Sequence, residues 1–227
     1  MNAINRLALV ALATSALSVN ASSSEANGIA SIQEVVSQPA FQQAPGEKEK
    51  AAKKGQNLED KTVLRTIKPG RMQVAYAGMN RSFRMGGNAS LQLNGNTINH
   101  KSGQIIAWIA PGGALRAPLK IVTRIATASI RGTTLYIDDR GDDDKIIFLS
   151  WEGKVDVDAD TGENFSLSGG QVLVYDDKKG EWKGPVPLTR DQAMTRRTKS
   201  ILLNGFEAPM ETMPKVEDVL KRAPEEI

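Results

Sequence analysis

The chain has 227 residues, enough for one domain of ordinary size with extensions. It has no Cys and a single His, His100, which excludes disulfides, thiolate chemistry, a Cys-based zinc site and a His cluster for a metal. A formal charge of +3, a 5% aromatic share within a 40% hydrophobic composition, and 20 Gly with 10 Pro favour strands and tight turns over long helices.

The chain opens with MNAINR and a 13-residue apolar run, LALVALATSALSV. That run is short of the roughly 20 apolar residues that span a bilayer. Val19-Asn20-Ala21 puts small residues where a signal peptidase needs them. Residues 1–21 therefore read as a secretory signal peptide, and the expected location is the periplasm or the medium of a bacterium. Residues 22–60 are polar; within them QPAFQQAPGEKEKAAKKGQNLED mixes Pro, Gly and both charges without a period. They are expected to be a flexible linker.

From 61 to 184 the pattern is that of strands. RMQVAYAG, ASLQLNG, SGQIIAWI, KIVTRI, TLYID, KIIFLSWE, KVDVDA and SGGQVLVYD follow one another at short intervals. Between them lie Gly86-Gly87, Asn94-Gly95, Pro111-Gly112-Gly113, Arg140-Gly141, Thr161-Gly162 and Lys179-Gly180, which mark turns. In ATASIRGTTLYIDD the apolar residues change parity: Ala128 and Ile130 are even, Leu135 and Ile137 odd. A strand has a side-chain period of two, so the change requires a bulge or a corner at Arg131-Gly132-Thr133-Thr134, and Gly132 suits such a backbone. Thr134 is expected to be a half-exposed strand residue. In residues 185–227, Thr189 and Gln192 form a capping box for a helix through Leu203, stopped by Gly205. Pro214 opens another helix carrying Val216, Val219 and Leu220.

Charge is unevenly spread. Residues 61–131 hold eleven Lys and Arg and no acid, whereas 132–184 hold six basic and thirteen acidic residues. The halves are expected to neutralise each other across the fold, the reading preferred here. Alternatively Arg81, Arg84, Lys120 and Arg124 form a basic face for an anionic partner. An exported protein without stacking aromatics among its basic residues is a poor nucleic-acid binder, so lipopolysaccharide, an anionic polysaccharide or an envelope protein is the expected partner. Asp156-Val-Asp158-Ala-Asp160-Thr-Gly162 begins like a calcium loop, but its Gly is one place late and Leu167 stands where the closing Glu belongs; a hairpin is expected there, and no metal. Asp138 to Asp144 reads as a charged turn. No catalytic motif is present, and neither an enzyme nor a cofactor is expected.

ATASIRGTTLYID, then IIFLSWEGKVDVD, then SLSGGQVLV resemble the FecR domain: an Arg-Gly-Thr strand, a strand ending in Glu-Gly before Val-x-Val, and a Gly-Gln-Val close. SFRMGGNASLQLNG and SGQIIAWI are similar to its front, so the resemblance covers roughly residues 80–175. It implies an extracytoplasmic, mostly β module, a two-sheet sandwich or short solenoid over 61–184 with a helical extension at 185–227. Its motif residues Arg131, Gly132, Thr133, Glu152, Gly153, Gly170 and Gln171 would be structural. FecR proteins are membrane-spanning regulators that relay a receptor signal to a sigma factor; the sequence shows neither their cytoplasmic helical region nor a membrane helix beyond the signal peptide, so that role is not carried over. The expected function is a non-catalytic binding or signalling module of the cell envelope, with self-association possible. The competing readings are a carbohydrate-active β-sandwich enzyme and a self-associating structural envelope component.

Overall fold

A computed structural model describes residues 28–112, 117–141 and 144–226. The signal-peptide segment lies outside the described residues. Strands β1 (Ala30–Ser37), β2 (Ala40–Gln43), β3 (Lys50–Ala51), β4 (Asn57–Leu58), β5 (Val63–Thr66) and β6 (Arg71–Tyr76) lead into a long hairpin of β7 (Arg81–Asn94) and β8 (Thr97–Ile109). Then come β9 (Leu119–Val122), β10 (Ala126–Ile130), β11 (Thr134–Asp139), β12 (Lys145–Glu152), β13 (Val155–Ala159), β14 (Asn164–Leu167), β15 (Gln171–Asp176) and β16 (Glu181–Pro187). Helices α1 (Arg190–Lys199), α2 (Ile201–Asn204) and α3 (Met213–Arg222) close the described chain. The protein is mostly β with short C-terminal helices, as its turn-punctuated alternation predicts.

The long hairpin is the spine of one continuous sheet. β7 also pairs with β5 and β6, while β8 carries both β9 and β11. One path runs from β8 through β11, β12 and β15 to β16; the other runs through β9, β10 and β13 to β14. β8 and β9 are parallel, so the sheet is mixed. The path ends curl towards each other: Phe165 of β14 and Trp182 of β16 meet with ring centroids 5.2 Å apart. The sheet thus wraps a core of side chains that include Phe83, Met85, Leu91, Ile98, Ile105, Ile130, Leu135, Ile137, Phe148 and Leu173.

Strands as long as β7 and β8 must bend to wrap that core, and they do so at register slips. Gly86 faces Gln104, Ser90 faces Ser102 and Leu91 faces His100, so extra residues are inserted on both strands. The inward set of β8 consequently moves from Ile98 and His100 to Ile105 and Ala107, a parity change of the kind a bulge produces. At the bend Gly103 has φ +88°, and a Cβ there would lie 2.2 Å from the Ala89 Cα, so only glycine fits.

The second parity change is a corner. β10 ends at Ile130, β11 begins at Thr134, and Gly132 between them has φ +69°. The two strands have different neighbours: β10 pairs with β9 and β13, β11 with β8 and β12. Thr134, expected half-exposed, is instead fully buried.

The flexible-linker expectation fails for the described part of residues 22–60. β1 pairs with β4 and β6, and β2 with β3 and β5. Ala30, Ile32, Ala40, Ala52 and Leu58 enter the core. These strands contribute small or isolated apolar residues between polar ones, and their hydrogen-bond partners lie far along the chain, so the local pattern did not report them.

The helices cover the outer face of the sheet. Ile106, Trp108, Leu149, Trp151 and Val172 point away from the main core and pack with Leu188, Leu202, Leu203, Met210, Val216 and Leu220 as a second apolar cluster. α1 starts at the expected capping box, with Thr189 and Gln192 bonding reciprocally. The helix does not run on to Leu203: Ser200 leaves helical geometry and caps α2 by accepting from the Leu203 N–H. The break brings Leu202 and Leu203 onto the sheet. The 156–167 segment is the expected hairpin, with Val155 opposite Leu167 and Val157 opposite Phe165.

Candidate functional site

Two of the four residues read as a basic face are interior. Arg84 is 2% exposed. Its Nε donates to Gln73 Oε1 (2.7 Å), Nη1 to the Leu202 and Leu203 carbonyls (2.8 and 3.3 Å) and Nη2 to the Ala208 carbonyl (2.7 Å). Its guanidinium carbon lies 4.6 Å from the Phe206 ring centroid and 5.3 Å from that of Trp108. Burial lowers its pKa to about 10, against the pull of Glu34 and Glu211. Arg84 is therefore a clamp that ties the C-terminal segment to β7. Arg81 is also buried, donating to Asn96 Oδ1 and the Ala117 carbonyl. Lys120 is exposed on β9, and Arg124 pairs with Asp139 and Asp177. Alternation hid this difference, because an arginine on the outer face of a strand is exposed only where no helix covers it.

The family-motif residues gather at one corner. Arg131 is exposed; Gly132 makes the turn; Thr133 is buried and lies against Gly153. The Thr134 hydroxyl lies 3.1 Å from Glu152 Oε1 and 2.7 Å from the Thr212 hydroxyl just before α3. Glu152 is 3% exposed, and burial raises its pKa, partly offset by the Thr134 hydrogen bond and Lys215. The Gly170 N–H donates to the Ser150 carbonyl (2.7 Å), and Gln171 Oε1 accepts from the Ser168 N–H (2.7 Å). Val219 of α3 packs on Gly169 and Gly170. The motif thus forms a socket for α3.

The positively charged concavity lies elsewhere, between the outer face of the sheet and α1–α2. This cleft of about 600 Å³ is lined by Lys68, Arg71, Arg140, Arg196 and Lys199, with Asp138 as its one acid. Arg140 chelates Asp138 through Nε and Nη2 (2.7 and 2.8 Å). The other four cations make no ion pair among the described residues; Arg71 Nε reaches the Ser37 hydroxyl at 3.4 Å.

Strand register builds the floor. Gln104 is the cross-strand partner of Asp138, and Tyr136 shares the Asp138 face two residues away. Gln104 Nε2 donates to the Tyr136 hydroxyl (2.7 Å) and to Asp138 Oδ2 (3.1 Å); the Tyr136 hydroxyl donates to the same Oδ2 (2.9 Å). Burial first, then the Asp138 charge, raises the Tyr136 pKa, so the phenol stays protonated. Pro69, Leu149, Trp151, Ile201 and Leu202 give the cleft apolar walls. Trp151 is 3% exposed, and its indole N–H is buried with no hydrogen-bond partner among the described residues. None of the cleft-lining cations belonged to the basic face expected from the sequence; a local charge count could not find them, because they come from segments up to about 130 residues apart.

His100 is 2% exposed within β8. Burial lowers its pKa to about 4, which leaves a neutral ring at physiological pH. No cluster of three or more His, Cys, Asp or Glu with metal-binding geometry occurs among the described residues.

No family model and no curated protein matches the chain. Two solved structures of a candidate anti-sigma factor from Parabacteroides distasonis are similar to it at 13% identity. One, at 1.65 Å, has a TM-score of 0.44 over 56% of this chain and 60% of that one. The other, at 2.50 Å, has a TM-score of 0.42 over 52% of this chain and 57% of that one. Both similarities span less than two thirds of the solved chains.

Proposed function

We propose that this chain is an exported, non-catalytic FecR-like binding or signalling module of the bacterial cell envelope, which takes an anionic partner in the cleft between the sheet and α1–α2. The observation that carries the reading is the convergence of Lys68, Arg71, Arg196 and Lys199, none with an ion-pair partner among the described residues, on one concavity. Such cations focus positive potential and concentrate anions. A binding role rather than a catalytic one is supported by the committed state of the candidate groups: Asp138 is held by Arg140, and His100 is in the core. The ordered Arg-Gly-Thr, Glu-Gly and Gly-Gln motifs support the FecR-like reading, and the apolar run before Val19-Asn20-Ala21 supports export.

Heparin affinity chromatography of the mature chain tests this. Retention is expected at about 0.01 M salt, where the Debye length is about 30 Å, and should fall steeply by about 0.15 M, where it is about 8 Å. The double change Arg196→Gln, Lys199→Gln should remove most of the retention without lowering the melting temperature, because Lys199 is exposed on α1 and Arg196 is half-buried. A wild-type protein that passes through at low salt refutes the proposal.

A further inference from the structure

We infer that the ligand of this cleft is an acidic saccharide, a hydroxyl-rich ring bearing a carboxylate or sulfate, rather than a bare anion or an acyl chain. The inference rests on the reading of the cleft as an anion site and adds the class of ligand.

Three features of the lining must be matched together. The four cations without an ion pair among the described residues call for negative charge. The floor is a hydrogen-bonding array: Gln104, Tyr136 and Asp138 are already linked, yet Gln104 Oε1 and one lone pair of Asp138 Oδ1 accept nothing among the described residues. Such acceptors suit ligand hydroxyls, whereas a compact polyanion pressed onto Asp138 would be repelled. Pro69 and Ile201, both exposed, then offer apolar surface that phosphate or sulfate alone cannot use, but that the C–H face of a sugar ring can. An acyl chain would satisfy the apolar walls and strip water from the Gln104–Tyr136–Asp138 array without replacing its hydrogen bonds. A volume of about 600 Å³ admits a ligand larger than a single inorganic anion.

Isothermal titration calorimetry of the full chain at low salt, with five probes, decides the class: a galacturonate disaccharide, galactose 6-sulfate, the neutral galactose disaccharide, inorganic phosphate and laurate. Either acidic sugar should bind at least tenfold more tightly than the neutral sugar, phosphate and laurate. Gln104→Met, which keeps the side-chain length and removes its hydrogen bonds, should weaken the acidic sugar at least fivefold and leave phosphate unchanged. The wild-type ranking stands by itself if that variant does not fold. Phosphate binding as well as the acidic sugars overturns the saccharide class and leaves the anion site standing. Laurate ranking first overturns it in favour of an acyl ligand, and the neutral sugar ranking equal removes the role of charge. Absence of binding by every probe, with heparin retention intact, overturns the saccharide inference alone; loss of both overturns the proposed function as well.

Discussion

Gly132 and Thr134 stand two residues apart and fail differently when replaced. A Cβ at Gly132 would meet nothing within 4 Å, so Gly132→Val costs mainly the strain of φ +69°, roughly 1–2 kcal/mol. Thr134→Val keeps the shape but removes a hydroxyl between Glu152 and Thr212, leaving buried polar atoms short of partners at a cost of roughly 1–3 kcal/mol. Urea unfolding should therefore show Thr134→Val costing at least as much as Gly132→Val, the reverse of what a half-exposed threonine would give. At His100 the sign follows from the burial-lowered pKa. The unfolded ring takes a proton near 6.5 and the folded ring only near 4. The stability it permits is complete above about 6.5 and is lost as pH falls towards 4. Between pH 7 and pH 5 the wild type should lose about 2 kcal/mol relative to His100→Leu. Parallel stability curves for the two proteins would show that the ring is not buried neutral.

Among elements, the C-terminal helices depend most on a single side chain. Arg84→Met keeps much of the packing against Phe206 and Trp108 but leaves the Leu202, Leu203 and Ala208 carbonyls without their donor. A loss of roughly 2–4 kcal/mol is expected, together with faster proteolysis within residues 200–212. Unchanged protease resistance would show that the apolar cluster alone holds the segment. Elements with a local signal were legible in the sequence: the capping box at Thr189 and Gln192, the 155–167 hairpin, and the strands whose inward residues alternate. β2 and β4 were not, because each offers a core residue or two such as Ala40 or Leu58 and pairs with a strand at least 20 residues away, and β3 is two exposed residues with no apolar pattern at all. The break at Ser200 was hidden too, since only docking on the sheet gives Leu202 and Leu203 a reason to leave the axis of α1.

At the scale of the whole molecule, the preferred reading of the charge split finds a concrete instance in Arg124, from the basic half, bridging Asp139 and Asp177 of the acidic half. Arg124→Gln should cost about 1 kcal/mol and less at high salt, since the guanidinium is partly exposed; Lys120→Gln should be neutral. Equal effects in thermal denaturation would remove Arg124 from that role. The cleft, by contrast, was illegible before folding. Its cations are scattered from Lys68 to Lys199, and Gln104 meets Asp138 only through strand register.

The clamp on Arg84 also bears on how the molecule is made. Its carbonyl partners lie 118 to 124 residues further along the chain. Until that segment docks, only Gln73 among its acceptors is at hand, and the rest of the guanidinium must remain hydrated beside Trp108. The outer face formed by Ile106, Trp108, Leu149 and Trp151 likewise stays uncovered and adhesive until residues 188–220 dock on it. What looks like an appendage to a finished β domain is thus the piece that closes it.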